Sequence, residues 1–153
     1  MDAAPIPAPA DPHNLSRFVW AQDKRDCYAT ALAELRAGRK RTHWMWFVFP
    51  QLAGLGKTGN AKTFAITSQT EARAYLRHPV LGPRLAECAD ALLRVQGKTA
   101  NAILGRPDDM KLRSCATLFS LVSEPGSVFH QILDKYYDGQ PDDLTLQLLG
   151  RAP

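Results

Sequence analysis

The residue types that suggest chemistry are concentrated between Arg36 and Thr58. This segment begins with clustered cations, continues through an aromatic run and ends in a glycine-rich turn that contains a lysine. No acidic residue lies between Glu34 and Glu71, whereas six lysines and arginines do, and these six exceed the net charge of +4 of the whole chain. The positive charge is therefore local, as it is at a binding site, and is not a general property of the protein.

Cations beside aromatic rings are the combination that a phosphorylated or nucleotide-like ligand requires. Guanidinium and ammonium groups pair with phosphate oxygens, and an aromatic ring stacks on a base or a sugar. We therefore predict that this segment, together with a lysine of a later helix, binds a small phosphorylated ligand. The candidate ligand-binding residues are Arg39, Lys40, Arg41, His43, Trp44, Trp46, Gln51 and Lys111.

The same residues also have structural explanations, which the sequence leaves open. Cations at the C-terminus of a helix stabilise its negative end. Aromatic residues in such a run most often belong to the core, and we expect this of at least Trp46 or Phe47. A histidine in the position of His43 often satisfies a backbone carbonyl.

Three residues are candidates for acid–base catalysis. His43 lies between the cations and the aromatic run, and histidine is the side chain that most often acts as a general acid or base. Asp108 and Asp109 begin a helix, where carboxylates stabilise the positive helix end; if that end faces the basic segment, one of them is the candidate general base. No pair of histidines has metal-ligand spacing and no CxxC motif is present, so we predict neither a metal nor a cofactor.

The glycine-rich turn matches two nucleotide-binding motifs only in part. Gly56-Lys57-Thr58 resembles the end of a phosphate-binding P-loop, but Gln51 stands where the first glycine of that motif is required. The range Gly54–Gly59 fits a GxGxxG pattern, but a dinucleotide fold needs alternating strands and helices. We interpret these glycines as a tight surface loop.

The composition is that of one soluble globular domain. The chain has 153 residues, of which 45% are hydrophobic and 22% charged, which argues against a disordered or fibrous protein. It contains no run of eighteen apolar residues and begins with no cationic and apolar leader, so we expect a cytoplasmic protein without a membrane span. The three cysteines, expected to be buried free thiols, are Cys27, Cys88 and Cys115.

Apolar residues recur mainly at helical spacing, so we predict an all-α fold, a single-domain bundle of about six to eight helices. At most one isolated short strand is expected, and Trp44–Phe49 is its candidate. Residues 1–13 contain four prolines and are predicted to form a disordered tail, while residues 14–150 are predicted to form the helical domain.

Local signals mark the ends of several helices. An apolar stripe over Tyr28–Leu35 predicts an amphipathic helix that stops at Gly38. The residues Ser68–Glu71 form a capping box before a helix that covers about Gln69–Arg77. Thr99 is expected to cap a short helix.

Further helices are predicted to begin at prolines, because a proline is tolerated in the first turn of a helix. These prolines are Pro79, Pro125 and Pro141. The core positions of the first of these helices are Leu81, Leu85, Cys88, Leu92 and Val95. In the last helix Leu144 and Leu148 are expected to face inward, and His78 is expected to cap a helix end.

Long motifs resemble those of a known family over nearly the whole range 15–149. They are Leu35–Lys40, His43–Gln51, Gly54–Gly56, Glu71–Leu76 and His78–Gly82, with Asp109, Lys111, Leu112, Ser114, Leu118 and Phe119. On these residues the chain resembles the uncharacterised DUF1810 family of bacterial domains, from whose usual pattern Gly59 departs. The resemblance implies a mainly helical single domain and no particular activity, since the family has no established function. Some members are labelled calpastatin-like, a label that the amphipathic helices do not support.

The order of the segments is also faintly similar to that of the NADAR proteins, which are helical N-glycosidases of nucleotide-like substrates. This similarity implies an alternative function, hydrolysis of an ADP-ribose-like substrate with Asp108 or Asp109 as the base, although the catalytic glutamate of those proteins has no match here. Nucleic-acid binding and a protein-interaction module are further alternatives, because cations and aromatic rings also serve those functions. The sequence does not predict an oligomeric state.

Overall fold

The computed structural model describes residues 11–150. In chain order the helices are α1 (Ser16–Asp23), α2 (Cys27–Arg36), α3 (Met45–Val48), α4 (Gly59–Thr63), α5 (Gln69–Arg77), α6 (Leu81–Arg94), α7 (Ala100–Leu104), α8 (Asp108–Ser120), α9 (Val128–Tyr137) and α10 (Asp143–Leu148). A short 3-10 turn, Lys24–Asp26, joins α1 to α2. The described residues form no sheet, and one isolated parallel bridge pairs Leu52 with Ile66. The predicted all-α fold is confirmed.

The predicted tail lies largely outside the described residues, which begin at Asp11. Within them, the Asp11 carboxylate accepts hydrogen bonds from the backbone N–H groups of Leu15 (2.6 Å) and Ser16 (3.0 Å). These bonds hold the start of α1. The division of the chain into a tail and one domain stays a prediction.

Helix α6 lies at the centre of the fold, where it packs against α2, α5 and α9. Its predicted core positions, from Leu81 to Leu92, are buried, whereas Val95 lies just past the helix and is only partly buried. Gly82 is required near its start, because a Cβ atom there would lie 2.1 Å from the backbone oxygen of Leu76. Helix α8 packs against α5, α7, α9 and α10 and completes the core.

The predicted capping of α5 is confirmed in one half. The Ser68 hydroxyl accepts a hydrogen bond from the Glu71 backbone N–H at 3.1 Å. The Glu71 carboxylate does not return to Ser68 but accepts from the backbone N–H and hydroxyl of Thr67, at 2.9 and 2.8 Å. The Glu71 carboxylate also forms an ion pair with the Arg17 guanidinium at 3.0 Å, which links α5 to α1.

The prediction that prolines begin three helices is wrong by two or three residues. Helices α6, α9 and α10 begin at Leu81, Val128 and Asp143. The side chains of Ser127 and Asp142 accept hydrogen bonds from the backbone N–H groups of His130 and Thr145, so the prolines lie in the turns before these caps. The predicted cap by His78 is confirmed, since its Nδ1 accepts from the backbone N–H groups that begin α6.

Two further predictions are wrong. The strand candidate Trp44–Phe49 is helical, and its backbone N–H groups bond four residues back, as that of Phe49 does to Met45 at 3.0 Å. Leu144 and Leu148 are 49% and 46% exposed, because α10 is only six residues long and lies at the surface. The buried residue of α10 is Thr145, whose hydroxyl donates a hydrogen bond at 2.6 Å to the carboxylate of Asp142, the residue that caps this helix.

The aromatic run is divided between core and surface. Trp44 and Phe49 are each 1% exposed, whereas Trp46 and Phe47 pack against the core and remain half-buried. The residues expected to be core are thus the more exposed ones. The predicted surface loop around Gly54 ends in the one-turn helix α4, which is capped by the hydroxyl of Thr58.

All three cysteines are free thiols, as predicted. Cys88 and Cys115 are fully buried, and Cys27 is partly exposed at the start of α2. None of the helices in residues 11–150 is long and apolar enough to cross a membrane.

Candidate functional site

One buried carboxylate holds the basic loop that follows α2. Helix α2 ends at Arg36, and two residues later, at Gly38, φ is +75° and the backbone reverses direction. The Glu34 Oε1 atom then accepts hydrogen bonds from the backbone N–H groups of Arg41 (2.7 Å) and Thr42 (3.1 Å) and from the indole N–H of Trp44 (2.9 Å). Its Oε2 atom accepts from the Thr42 hydroxyl at 2.7 Å.

Glu34 is ionised over the whole physiological range. Its burial acts to raise the pKa of this carboxyl, but the hydrogen bonds from Arg41, Trp44 and Thr42 outweigh burial and lower the pKa to about 2. The loop is therefore fixed to α2 by charge-assisted hydrogen bonds, which are stronger than neutral ones.

Lys40 is turned inward from this loop. Its ammonium group donates to Asp108 at 2.9 Å, and its side chain is 8% exposed. Lys111 approaches the other oxygen of Asp108 at 3.6 Å. The start of α8 thus faces the basic segment through Asp108, which lies between two lysines.

Asp109 faces elsewhere. Its carboxylate accepts a hydrogen bond from the side-chain amide of Asn101 at 3.3 Å, and its backbone oxygen accepts one from the hydroxyl of Tyr137. Of the two predicted carboxylates, therefore, only Asp108 contacts the basic segment.

Arg39 and Arg41 lie on the outer side of the loop. Both side chains are exposed, and within residues 11–150 neither forms an ion pair or a side-chain hydrogen bond. An anion in solution can reach both guanidinium groups, but they lie on an exposed surface and not in a pocket.

The two tryptophans of the aromatic run face different surroundings. Residues two apart on a helix point in nearly opposite directions. Trp44 turns toward α2, and the Lys40 ammonium lies 5.2 Å from its ring centre. Trp46 turns toward α8, where the Lys111 ammonium lies 5.2 Å from its ring centre.

A groove of about 740 Å³ opens on the Trp44 side of α3, and we name it the Trp20 groove. Its first wall comes from the end of α1 and the start of α2. The residues of this wall are Trp20, Ala21, Lys24, Arg25, Cys27 and Thr30. Trp20 is 62% exposed, and the Lys24 ammonium lies 4.6 Å from its ring centre.

The opposite wall of the Trp20 groove comes from the basic loop, α3 and α4. Its residues are Thr42, His43, Trp44, Phe47, Asn60 and Phe64. The rings of Phe47 and Phe64 meet edge to face at 4.7 Å and form an apolar floor. None of the described residues that line the groove is acidic, while two cations and one histidine lie along it.

Arg25 reaches the groove from an unusual backbone conformation. Its φ is +53° and that of Asp26 is +56°, a left-handed pair that turns the chain between α1 and α2. Such conformations cost about 1–3 kcal/mol per residue and persist only where the surrounding structure imposes them. The neighbouring Asp23 pairs with Arg84 at 2.8 Å, which occupies its carboxylate with a partner on α6.

A second, much smaller cavity lies on the other side of Phe64, and we name it the Trp46 cavity. It measures about 10 Å³ and is lined by Met45, Trp46, Phe49, Gln51, Ala61, Phe64 and Lys111. Three predicted ligand-binding residues therefore meet here: Trp46, Gln51 and Lys111. His43 and Trp44 lie at the Trp20 groove, so the predicted set is divided between two places.

A family model described as "Protein of unknown function (DUF1810)" matches residues 12–149. The chain belongs to the DUF1810 family. The crystal structure of a conserved hypothetical protein, Rv1873 from Mycobacterium tuberculosis, is similar to it, with 50% sequence identity and a TM-score of 0.88 over 92% of this chain and 99% of that one. No curated protein matches.

The similar crystal structure supports the helical fold, and the activity stays open because neither description states a function. The function of this DUF1810 protein is therefore inferred from its own geometry. No group of three or more histidine, cysteine, aspartate or glutamate side chains in the described part of the chain could hold a metal ion.

Sequence reasoning missed the first wall of the Trp20 groove. Trp20 stands two positions after the buried Phe18, which places it on the outer face of α1, and Lys24-Arg25 follows about one helical turn later. An outward tryptophan followed by cations was the available signal. Only the packing of α1 beside the basic loop made it part of a groove.

Proposed function

We propose that this DUF1810 protein binds a small anionic ligand that carries a planar ring, a nucleotide or an ADP-ribose-like molecule, in the Trp20 groove. One observation carries the proposal: a groove of about 740 Å³ combines an aromatic floor with cations, and none of the described residues that line it is acidic. Small-molecule sites commonly measure about 300–1,000 Å³ and are mainly apolar with a few polar groups.

The aromatic residues would hold the ring of the ligand. Trp20 offers an exposed indole face on one wall, and Phe47 and Phe64 offer ring edges and faces on the other. Stacking on an aromatic side chain contributes about 1–3 kcal/mol per base.

The cations would hold the anionic group. Lys24 and Arg25 lie on the wall formed by the end of α1. His43, Thr42 and Asn60 on the opposite wall supply groups that donate or accept hydrogen bonds and can fix the orientation of the ligand.

Of the predicted ligand-binding residues, His43 and Trp44 fit this proposal directly, and Trp44 does so as part of the wall. Arg39 and Arg41 extend the positive charge along the same loop without lining the groove. Lys40 is engaged by Asp108 and supports the loop instead of the ligand. Three free thiols are compatible with a location in the reducing cytoplasm.

Calorimetry and thermal shift with ADP-ribose, NAD, nucleotides and sugar phosphates test the proposal. We expect at least one of them to raise the midpoint of thermal unfolding, because a ligand that binds only the folded state stabilises it. Lys24→Met should weaken that ligand about tenfold or more, the loss of one charged hydrogen bond. The matched control is Arg39→Met, an exposed cation outside the groove.

Cys27 provides a second readout. It is the partly exposed thiol of the three and lines the groove, so native alkylation should modify it before the buried pair. Burial and the nearby Glu34 raise the pKa of the Cys27 thiol, so the reaction is best followed at alkaline pH. A bound ligand should slow the alkylation of Cys27. If no compound in the panel binds, or if Arg39→Met abolishes binding while Lys24→Met does not, the Trp20 groove is not the site.

The alternative functions make different predictions in the same experiments. No carboxylate of the described residues lines the groove, so we expect the panel to bind without release of base or ribose phosphate. A nucleic-acid-binding function would instead show an affinity that falls steeply with salt. For an interaction module, the exposed tryptophan is Trp20 and not one of the two in the aromatic run.

A further inference from the structure

The indole N–H of Trp46 is a buried donor without an acceptor. Its Nε1 atom is the one buried side-chain polar atom in the described part of the chain that has no hydrogen-bond partner. Buried donors are nearly always paired, because an unpaired one costs about 1–3 kcal/mol. Trp44, two residues earlier, follows that rule by donating to Glu34.

The unpaired donor belongs to the wall of the Trp46 cavity, which is also lined by the side chains of Gln51 and Lys111. The ammonium of Lys111 and the amide of Gln51 are donors as well. The remaining walls are apolar, with Met45, Phe49 and Phe64 among them. Three donors thus surround one small space, and the only acceptor among their side chains is the amide oxygen of Gln51.

The charges around this cavity do not balance. Lys40 and Lys111 share a single carboxylate, Asp108, at 2.9 and 3.6 Å. Asp109, the next carboxylate on α8, accepts hydrogen bonds from the side-chain amide of Asn101 and from the backbone N–H of Met110. Two ammonium groups against one carboxylate leave a net charge of +1 beside the unpaired indole.

We propose that the Trp46 cavity is a binding site for one small anionic acceptor, a halide ion or the projecting oxygen of an oxyanion. The bound anion accepts a hydrogen bond from the Trp46 indole N–H and forms an ion pair with the Lys111 ammonium. A volume of about 10 Å³ corresponds to about one water-sized atom, so larger groups are excluded from the cavity itself. The site lies across Phe64 from the Trp20 groove and does not depend on the function proposed for that groove.

The indole N–H signals of 15N-labelled protein report directly on this site. The chain has three tryptophans and therefore three indole signals, and the variant Trp46→Phe identifies the one that matters. Sodium chloride and, in a second arm, inorganic phosphate are exchanged for sodium hexafluorophosphate at constant ionic strength, because hexafluorophosphate is too large for the cavity and its fluorine atoms are very weak hydrogen-bond acceptors. Constant ionic strength removes general screening from the comparison.

We expect the Trp46 signal to shift with a saturable dependence on chloride, on phosphate, or on both. A response to chloride means that a single ion fills the cavity, and a response to phosphate alone means that the oxygen of an oxyanion does. The Trp44 signal should stay in place, because its N–H already donates to Glu34. Lys111→Met should weaken the response about tenfold or more, the loss of one charged hydrogen bond.

The matched control is Lys57→Met, which removes an exposed lysine that lines no part of the cavity. Gln51→Leu tests the third donor with little change in volume and keeps the test available if Lys111→Met does not fold. The proposal is overturned if the Trp46 signal does not saturate in either arm, which would leave water as the partner of the indole. It is also overturned if Lys57→Met lowers the response as much as Lys111→Met does.

Discussion

Trp44, just before α3, and Trp46, within α3, differ in what their indole N–H groups contact. Trp44 and Trp46 each have a lysine ammonium 5.2 Å from the ring centre, and both lysines pair with Asp108. The N–H of Trp44 donates to a carboxylate at 2.9 Å, whereas the N–H of Trp46 has no partner among the described residues. The same residue type beside the same lysine–aspartate cluster therefore anchors the basic loop on one side of α3 and leaves a donor available on the other.

This difference separates the polar groups of Arg36–Thr58 that already have partners in the protein from those that are available to a ligand. Glu34 accepts from the Trp44 indole and Asp108 pairs with Lys40, so these two predicted binding groups are already occupied. Arg39 and Arg41 are unoccupied but lie in no pocket, and the unoccupied groups that line a pocket lie at the Trp20 groove and at the Trp46 cavity. Satisfied polar groups mark structure, and unsatisfied buried ones require another explanation.

Glu34→Gln should have the largest effect on this comparison. We expect the free energy of unfolding to fall by about 3 kcal/mol, because a neutral amide cannot accept charge-assisted hydrogen bonds from three residues. Chemical denaturation at neutral pH measures the change. The control is Glu124→Gln at an exposed position, where a change within about 0.5 kcal/mol is expected. Equal effects of the two substitutions would mean that Glu34 does not anchor the loop.

Lowering the pH should reduce the contribution of Glu34 to the free energy of unfolding. The pKa of Glu34 is about 2 in the folded protein against an ordinary value of 4.5, so its contribution to stability is complete above about 4.5 and is lost as the pH falls through 2. The difference in unfolding free energy between the wild type and Glu34→Gln should therefore shrink below pH 4.5. Denaturation series over this range measure it. A difference that stays constant down to pH 2 would contradict the low pKa.

The matched pair Trp44→Phe and Trp46→Phe tests the comparison most directly and has the smallest expected effect. Trp44→Phe should lower the unfolding free energy by about 2 kcal/mol, because it removes a hydrogen bond to a buried carboxylate and some packing. Trp46→Phe removes no hydrogen bond within the protein and should lower it by less than about 1 kcal/mol. Chemical denaturation of both variants measures the difference, and a larger loss for Trp46→Phe would reverse the assignment of the two roles.

Most of the helices could be predicted because their signals are local. The spacing of apolar residues in α6, the Ser68 cap of α5 and the glycine that ends α2 each act within one or two helical turns. The errors also have local causes. Pro125 and Pro141 do not begin helices, because the side chains of Ser127 and Asp142, one or two residues later, cap α9 and α10.

The sequence by itself determined that the protein is helical, where most of its helices lie, and that its positive charge is concentrated before and after the aromatic run. Tertiary structure alone decided that Glu34 would occupy the Trp44 indole, that Trp20 would face His43 across a groove, and that the Trp46 donor would remain unpaired. Backbone hydrogen bonding and apolar periodicity act between near neighbours in the chain, so the sequence contains them in readable form. The partner of a side chain depends on which distant elements pack beside it, and that is settled only when the whole core has formed.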